Sequence, residues 1–232
     1  MLKKLLNIIS YSLKGYSPLR SCQLYECRHI NLKGYSIEFG AYKNNKKNFN
    51  NFFGGNSKFI LSNVYNNYKN KNYIKLDLTK RLKIKNNTFD NVVIFNVLEH
   101  LPSTDKVFKE IDRILKNKGN LIGSTPFIYQ IHGAPNDYLR FTKDFFYKKF
   151  NKKKYKSFIV KPLGNGPFFA SYGLISPYLK FFPIIKEIII LTCYLLDKFI
   201  QIFVKTNLVE IYPIGYLFII KKWKFIIGLH FL

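Results

Sequence analysis

The chain has 232 residues, with 38 Lys and Arg against 13 Asp and Glu, a formal net charge of +25 and 47% hydrophobic residues. Its length gives one domain, or one domain with an appendage, and ample apolar material for a core. The charge alone would suit nucleic acid or an anionic membrane surface. Lys, Asn, Ile, Phe and Tyr, all served by A/T-rich codons, recur throughout, so nucleic acid is not an expected partner and an anionic lipid surface is the better candidate.

Residues 1–33 read as a helical lead-in. Leu2, Leu5, Leu6, Ile9 and Leu13 share one helical face, but Lys3, Lys4, Asn7 and Ser10 interrupt the apolar stretch and no small-residue cleavage site follows, so it is not read as a signal peptide. It serves either as a basic interfacial helix or as a cap on the core. Cys22, Cys27 and Cys193 form no CxxC pair and no metal spacing, which argues against a disulfide framework and fits a reducing cytoplasm.

Strands are expected at 35–39, 58–63, 72–76 and 91–95. The last of these is a short β-branched and aromatic run that ends in the polar residues Asn96, Glu99 and His100. Val107, Phe108, Ile111, Ile114 and Leu115 then recur at helical spacing over 105–116, Lys118-Gly119 stops that helix, and a strand follows at 120–124. Strand, helix and strand with short links make a βαβ unit of a parallel sheet. A helix over 141–150, opened by Thr142 and Asp144, and a strand at 157–162 come next, with a final strand at 211–221.

The apolar segment 168–208 lies before that last strand. A helix over 183–204 places Lys186, Glu187, Asp197, Lys198, Gln201 and Lys205 in one arc of about 120°, the rest being aliphatic and aromatic. The uncharged run 188–196 is too short to span a bilayer. The helix therefore lies flat, either on the core as a lid or in a membrane interface. The cluster Lys221-Lys222-Trp223-Lys224 is a further candidate for an anionic interface.

The run TFDNVVIFNVLEHLPSTDKVFKEIDRILKNKGNLIGSTPF, continued by IHGAPNDYLRFT and more weakly by KPLGNGP and YPIGYLFIIKK, resembles class I S-adenosylmethionine-dependent methyltransferases. The likeness is strongest to those of polysaccharide- and lipid-modifying gene clusters, and it covers most of residues 34–166 plus the last strand. It implies a Rossmann-like, three-layer α/β fold with a mostly parallel seven-stranded sheet. The methyltransferase domain would comprise 34–166 and 209–224, with 167–208 an apolar helical insertion. The implied reaction is methyl transfer from S-adenosylmethionine, most readily to an oxygen of a glycan- or lipid-linked small-molecule acceptor. The protein would be cytoplasmic, with peripheral attachment to the inner face of the membrane as one use of its apolar segments.

By the same resemblance, Glu38 meets the amino-acid part of the cofactor, and Gly40 lets the backbone approach closely. Tyr42 and Asn44 stand where further glycines are usual. Ser62 and Asn63 replace the acid that grips the ribose, with Asn63 able to hydrogen-bond in its place. Asp77, with Leu78 beside it, lies by the adenine; read from the residues alone, Asp77 would equally cap a turn with Thr79. These departures leave a non-catalytic scaffold descendant as the alternative. Asn96 and Val97 should contact the cofactor or the reacting centre. Glu99-His100 resembles a pair that helps bind a divalent ion in some quinone-pathway relatives, but those carry another acid at the position of Asn96. No metal is therefore expected, and the pair should cap and brace the following helix. His132 suits a general base, with Asp137 orienting it and Tyr138 or Arg140 holding an anionic or sugar-like acceptor. The other use of these groups is a loop network with Asp137 paired to Arg140.

Overall fold

The computed structural model describes residues 2–43, 45–65, 72–133, 136–150 and 155–222. Asn44 and the Trp223-Lys224 end of the basic cluster lie outside these residues. Seven strands form one sheet: β1 (Tyr35–Phe39), β2 (Lys58–Asn63), β3 (Tyr73–Lys75), β4 (Phe89–Phe95), β5 (Leu115–Pro126), β6 (Tyr155–Leu163) and β7 (Gly215–Lys222). Their order is β3-β2-β1-β4-β5-β7-β6. The first five are parallel, and β7 runs antiparallel between β5 and β6. The strand order therefore reverses between β1 and β4, where an open α/β sheet leaves a crevice at the carboxyl ends of its strands.

Both faces of the sheet are covered, as its alternation requires. Val92 and Ile94 of β4 join an apolar cluster with Val107, Phe108 and Ile111 of α3 (Asp105–Ile114) and Phe146 of α4 (Lys143–Lys149). Val93 and Phe95 point the other way. They join Leu5 and Ile8 of α1 (Leu2–Leu13), Leu19 and Leu24 of α2 (Pro18–Cys27), Phe169 and Tyr172 of α5 (Pro167–Ile175), and Ile190 and Tyr194 of α6 (Pro183–Phe203). Between β1 and β2 the described residues form no α-helix, only the 3₁₀ turns Asn45–Lys47 and Phe49–Phe52 and the two-residue strand Gly54–Gly55, which pairs with Asn31–Leu32, so α1, α2, α5 and α6 cover that face.

Several element ends differ from expectation. The helix expected over 105–116 closes at Ile114, and β5 begins at once at Leu115, with Lys118 at φ 63°. The last strand starts at Gly215, because 208–211 form a short helix, α7 (Leu208–Ile211), capped by Asn207. Periodicity of apolar residues does not separate such ends, and hydrogen bonding decides them.

The orientation of α6 is set by its polar residues. Its polar arc faces inward: Lys186 donates to the Ser12 carbonyl at 3.0 Å, Glu187 accepts from the Ser12 hydroxyl at 2.8 Å, and Asp197 is 1% exposed. Asp197 accepts from the amides of Phe168 and Phe169 at 2.9 and 3.0 Å and so caps α5. The aliphatic side of α6 faces outward, with Ile184 and Ile202 each 76% exposed alongside Ile188, Leu195, Phe199 and Phe203. No helix among the described residues is long and apolar enough to cross a membrane.

Candidate active site

A cleft of about 540 Å³ opens where the strand order reverses, a volume within the usual range of small-molecule sites. It is lined by Gly40, Asn63, Asp77, Leu78, Asn96 and Val97, as the sequence predicts, together with Tyr42, Glu99, His100, Tyr129 and His132. Because β3 and β5 lie on opposite sides of β1 and β4, Asp77 and His132 lie towards opposite ends of the cleft.

Gly40 follows β1 at φ 74°, and a Cβ there would overlap the Cγ2 methyl of Val97. The glycine is thus needed both for the left-handed turn and for the approach of the loop after β4. Glu38 does not line the cleft. It is 2% exposed and accepts from the amides of Phe49 and Asn50 at 2.9 and 2.8 Å. Its carboxyl thereby ties the 3₁₀ turn to β1, and burial pushes its pKa up to about 7. Tyr42 is held at its backbone by Asn48, whose side chain accepts from the Tyr42 amide at 2.6 Å and donates to the Tyr42 carbonyl at 3.1 Å. The ring is half exposed, near the guanidinium of Arg20, so the bulk that replaces a glycine leaves the cleft open.

Asn63 donates to the Ala41 carbonyl at 2.9 Å. Asp77 caps its turn through Thr79, accepting from the amide at 2.9 Å and the hydroxyl at 2.6 Å through Oδ1. Those hydrogen bonds lower its pKa, and its carboxylate lines the cleft as well. Asn96 stands at φ 53° and exchanges two hydrogen bonds with Gln23, at 2.7 and 3.1 Å. Gln23 also donates to the Ser124 hydroxyl at 3.0 Å. Helix α2 therefore ties the loop after β4 to strand β5, and Arg20 on the same helix lines the cleft. Neither residue is distinguishable in the sequence, where α2 carries no motif.

At the other end, His132 donates its backbone N–H to Asp137 at 3.0 Å, and its ring Nδ1 lies 3.2 Å from the same carboxylate. Arg140 forks onto Asp137, one bond measuring 2.7 Å, and holds its pKa well below the carboxylate range. Both expected uses of Asp137 are present together. Asp137, Tyr138 and Arg140 do not line the cleft: the donors of Arg140 go to Asp137 and to the carbonyls of Leu139 and Gln130, and Tyr138 is half exposed.

Glu99 and His100 do not cap α3, whose N-cap is Thr104. The Glu99 carbonyl accepts from Tyr138 and Leu139, and His100 Nδ1 meets the Asn136 carbonyl at 2.6 Å. The pair braces the segment after β5 instead. The Glu99 carboxyl is fully buried, neither oxygen has a hydrogen-bond partner, and burial pushes its pKa up to about 8.

A family model described as a methyltransferase domain matches residues 42–123. An uncharacterized protein of Methanocaldococcus jannaschii is 42% identical over 84 residues, which are 36% of this chain and 35% of that protein, so the chain spans about a third of this curated relative. A SAM-dependent methyltransferase from Archaeoglobus fulgidus superposes with a TM-score of 0.54 over 88% of this chain and 94% of its own, at 11% identity. Phosphoethanolamine N-methyltransferase 2 of Haemonchus contortus, solved with phosphomonomethylethanolamine and S-adenosylhomocysteine, superposes at 0.50 over 87% of this chain and 52% of its own, at 13% identity. The 4+2 cyclase SpnF also superposes at 0.50, with 8% identity over 87% and 80% of the two chains. At such identities the superpositions establish the fold, and fold alone leaves the chemistry open. Residues 42–123 thus match a methyltransferase domain, and the strand order is that of the Rossmann-like fold of class I S-adenosylmethionine-dependent methyltransferases.

Proposed function

We propose that the protein transfers the methyl group of S-adenosylmethionine to an oxygen of a glycan- or lipid-linked small-molecule acceptor. The observation that carries this reading is the cleft itself. Polar groups suited to a nucleoside, Asn63 and Asp77, lie after β2 and β3, while an oriented imidazole, His132, lies after β5. The cofactor supplies an electrophilic methyl on a sulfonium, so the protein must align donor and acceptor and accept one proton. Asp77 has Oδ1 committed to Thr79, which leaves Oδ2, 3.5 Å from Lys80, to receive a donor from the bound nucleoside. Gly40 and Val97 shape the floor, and the Asn96–Gln23 pair holds the loop behind them. His132 receives the acceptor's proton while Asp137 holds its ring and stabilises the imidazolium.

The lipid-linked acceptor and peripheral attachment to an anionic membrane draw support from the outward apolar side of α6 and from exposed Leu2, Leu6 and Leu13 of α1, with Lys3, Lys14, Lys180 and Lys205 on the same elements or beside them.

Calorimetric titration with S-adenosylhomocysteine tests the cofactor half of the proposal. Micromolar binding is expected, weakened about tenfold or more in Asp77→Ala, which loses a charged hydrogen bond. A folded sample that binds nothing overturns it. His132→Ala should then lower turnover by about two to four orders of magnitude at unchanged cofactor affinity, and near-wild-type turnover would remove His132 from the chemistry.

A further inference from the structure

Glu99 presents an energetic problem that the proposed methyl transfer does not use. A carboxyl group that is fully buried and lacks any hydrogen-bond partner loses the solvation of both oxygens without compensation. The residue belongs to the lining of the cleft, its carboxyl buried just behind the surface. The groups facing it are two imidazoles. His100 Nε2 lies 3.8 Å from Glu99 Oε1, and the His100 and His132 rings meet edge to face with centroids 5.0 Å apart. One ligand atom from each of Glu99, His100 and His132 falls within 4.8 Å of the other two.

The Nδ1 nitrogens of both rings are already engaged. His100 Nδ1 meets the Asn136 carbonyl at 2.6 Å, and His132 Nδ1 lies 3.2 Å from Asp137 and 3.3 Å from the Gln130 carbonyl. A proton held on each Nδ1 by these acceptors leaves Nε2 as a lone pair. This is the arrangement that carboxylates and carbonyls impose on imidazoles that ligate metals. Two imidazole nitrogens and one carboxylate make a three-ligand face that suits zinc or another first-row divalent cation, with positions left open.

From this geometry we infer that Glu99, His100 and His132 form a binding site for one first-row divalent cation at the acceptor end of the cleft. The ligand atoms must draw together by about 1 Å to reach bonds of about 2.1 Å, a movement within reach of side-chain rotations. The net charge of +25 disfavours loose accumulation of cations, so a bound cation has to be held by specific ligands. Sequence pattern points away from the site, because Asn96 offers no acid; the third ligand arrives instead from the loop after β5.

What the cation would do rests on the methyl-transfer reading. Acceptor oxygens would fill its open positions, and a coordinated hydroxyl would release its proton to water before attack. His132 would then serve as a ligand, and would act as the base only in the cation's absence. Cation binding itself does not depend on that reading.

The test uses tag-free, full-length protein titrated with Co²⁺, followed by visible absorption, and with Zn²⁺ by calorimetry. Wild type is expected to bind one equivalent, and Glu99→Gln and His132→Ala to weaken binding by about 10–100-fold or more. Thermal unfolding of each variant confirms that the fold is kept, and His100→Ala is a third variant should either fail. Absence of saturable one-to-one binding in wild type overturns the site, as does wild-type affinity in the variants. S-adenosylhomocysteine titration of the same wild-type sample separates the two proposals. Cation binding without cofactor binding removes the methyl-transfer reading alone, and cofactor binding without cation binding removes the metal site alone.

Discussion

Gly40 and Val97 touch across the floor of the cleft, one from the end of β1 and one from the loop after β4. Alanine at position 40 meets two separate costs. A left-handed φ of 74° costs a non-glycine residue about 1–2 kcal/mol, and the new Cβ overlaps Val97 Cγ2. Gly40→Ala should therefore destabilise by about 2–4 kcal/mol and weaken S-adenosylhomocysteine binding as Val97 is displaced. Removing the branched side chain relieves only the second cost. Urea unfolding of Gly40→Ala, Val97→Ala and the double variant should give a double penalty smaller than the sum of the singles by about 1 kcal/mol. Strict additivity would show that the two residues do not meet. At this scale the sequence is readable where partners are close along the chain. His132 and Asp137, five residues apart, are such a pair, and so are Asp77 and Thr79. Arg20 and Gln23 were not legible, because their partners lie some 27 to 101 residues away and no local pattern marks them. The partners of Glu99 and His100 were misassigned for the same reason, since both reach forward to 136–139 instead of to the adjoining helix.

Helix α6 shows how an element can be legible in extent while its orientation stays open between a lid on the core and a membrane interface. Its bounds were anticipated to within a residue, and the composition of its polar arc was right. The polar arc turns inward because Ser12, Asn165 and the amides of Phe168 and Phe169 supply partners for Lys186, Glu187 and Asp197 inside the protein. A paired polar group can be buried at little cost, whereas the unpaired apolar side is left to the surroundings. Strands β1, β2 and β4 were read almost in full, and for β4 burial on both faces writes the continuous apolar run Val92 to Phe95 into the sequence. The consequence for α6 is testable by charge placement. Ile188→Glu with Phe199→Glu should leave unfolding free energy within about 0.5 kcal/mol of wild type, since both positions are exposed. Ile190→Ala, one residue pair away but fully buried, should cost about 2–4 kcal/mol. The same double Glu variant should abolish co-flotation with phosphatidylserine-containing vesicles. Wild type that stays unbound, or a double variant that floats equally well, would exclude α6 as a membrane contact. Deleting 168–208 is not a usable test, because it removes Phe169, Tyr172 and Ile190 from the core.

Across the whole molecule, acidic groups are scarce, 13 against 38 basic ones, and one of them is buried at the hinge of the fold. Glu38 ties the 3₁₀ turn after β1 to the sheet, and burial outweighs its two amide hydrogen bonds and the nearby Arg20 in setting its protonation. Its folded pKa of about 7 exceeds the ordinary 4.5, so between these values the native state holds a proton that the unfolded chain has released. The contribution of Glu38 then falls as pH rises through this window and levels off above it, by on the order of 3 kcal/mol in all. Asp137 has the opposite sign, being depressed by Arg140, but its contribution is complete above about pH 4 and does not change across the window. Urea unfolding at pH 5 and pH 8 should therefore show the protein more stable at pH 5. Glu38→Gln, which cannot ionise, should be weakened at pH 5 by the loss of one amide hydrogen bond and should lose only its own share of the slope, because Glu99, also raised by burial, to about 8, slopes in the same direction. A wild-type profile that is flat or rises from pH 5 to 8 would show that Glu38 ionises normally in the folded state. A slope wholly unchanged in Glu38→Gln would assign it to Glu99 and Asp197 instead.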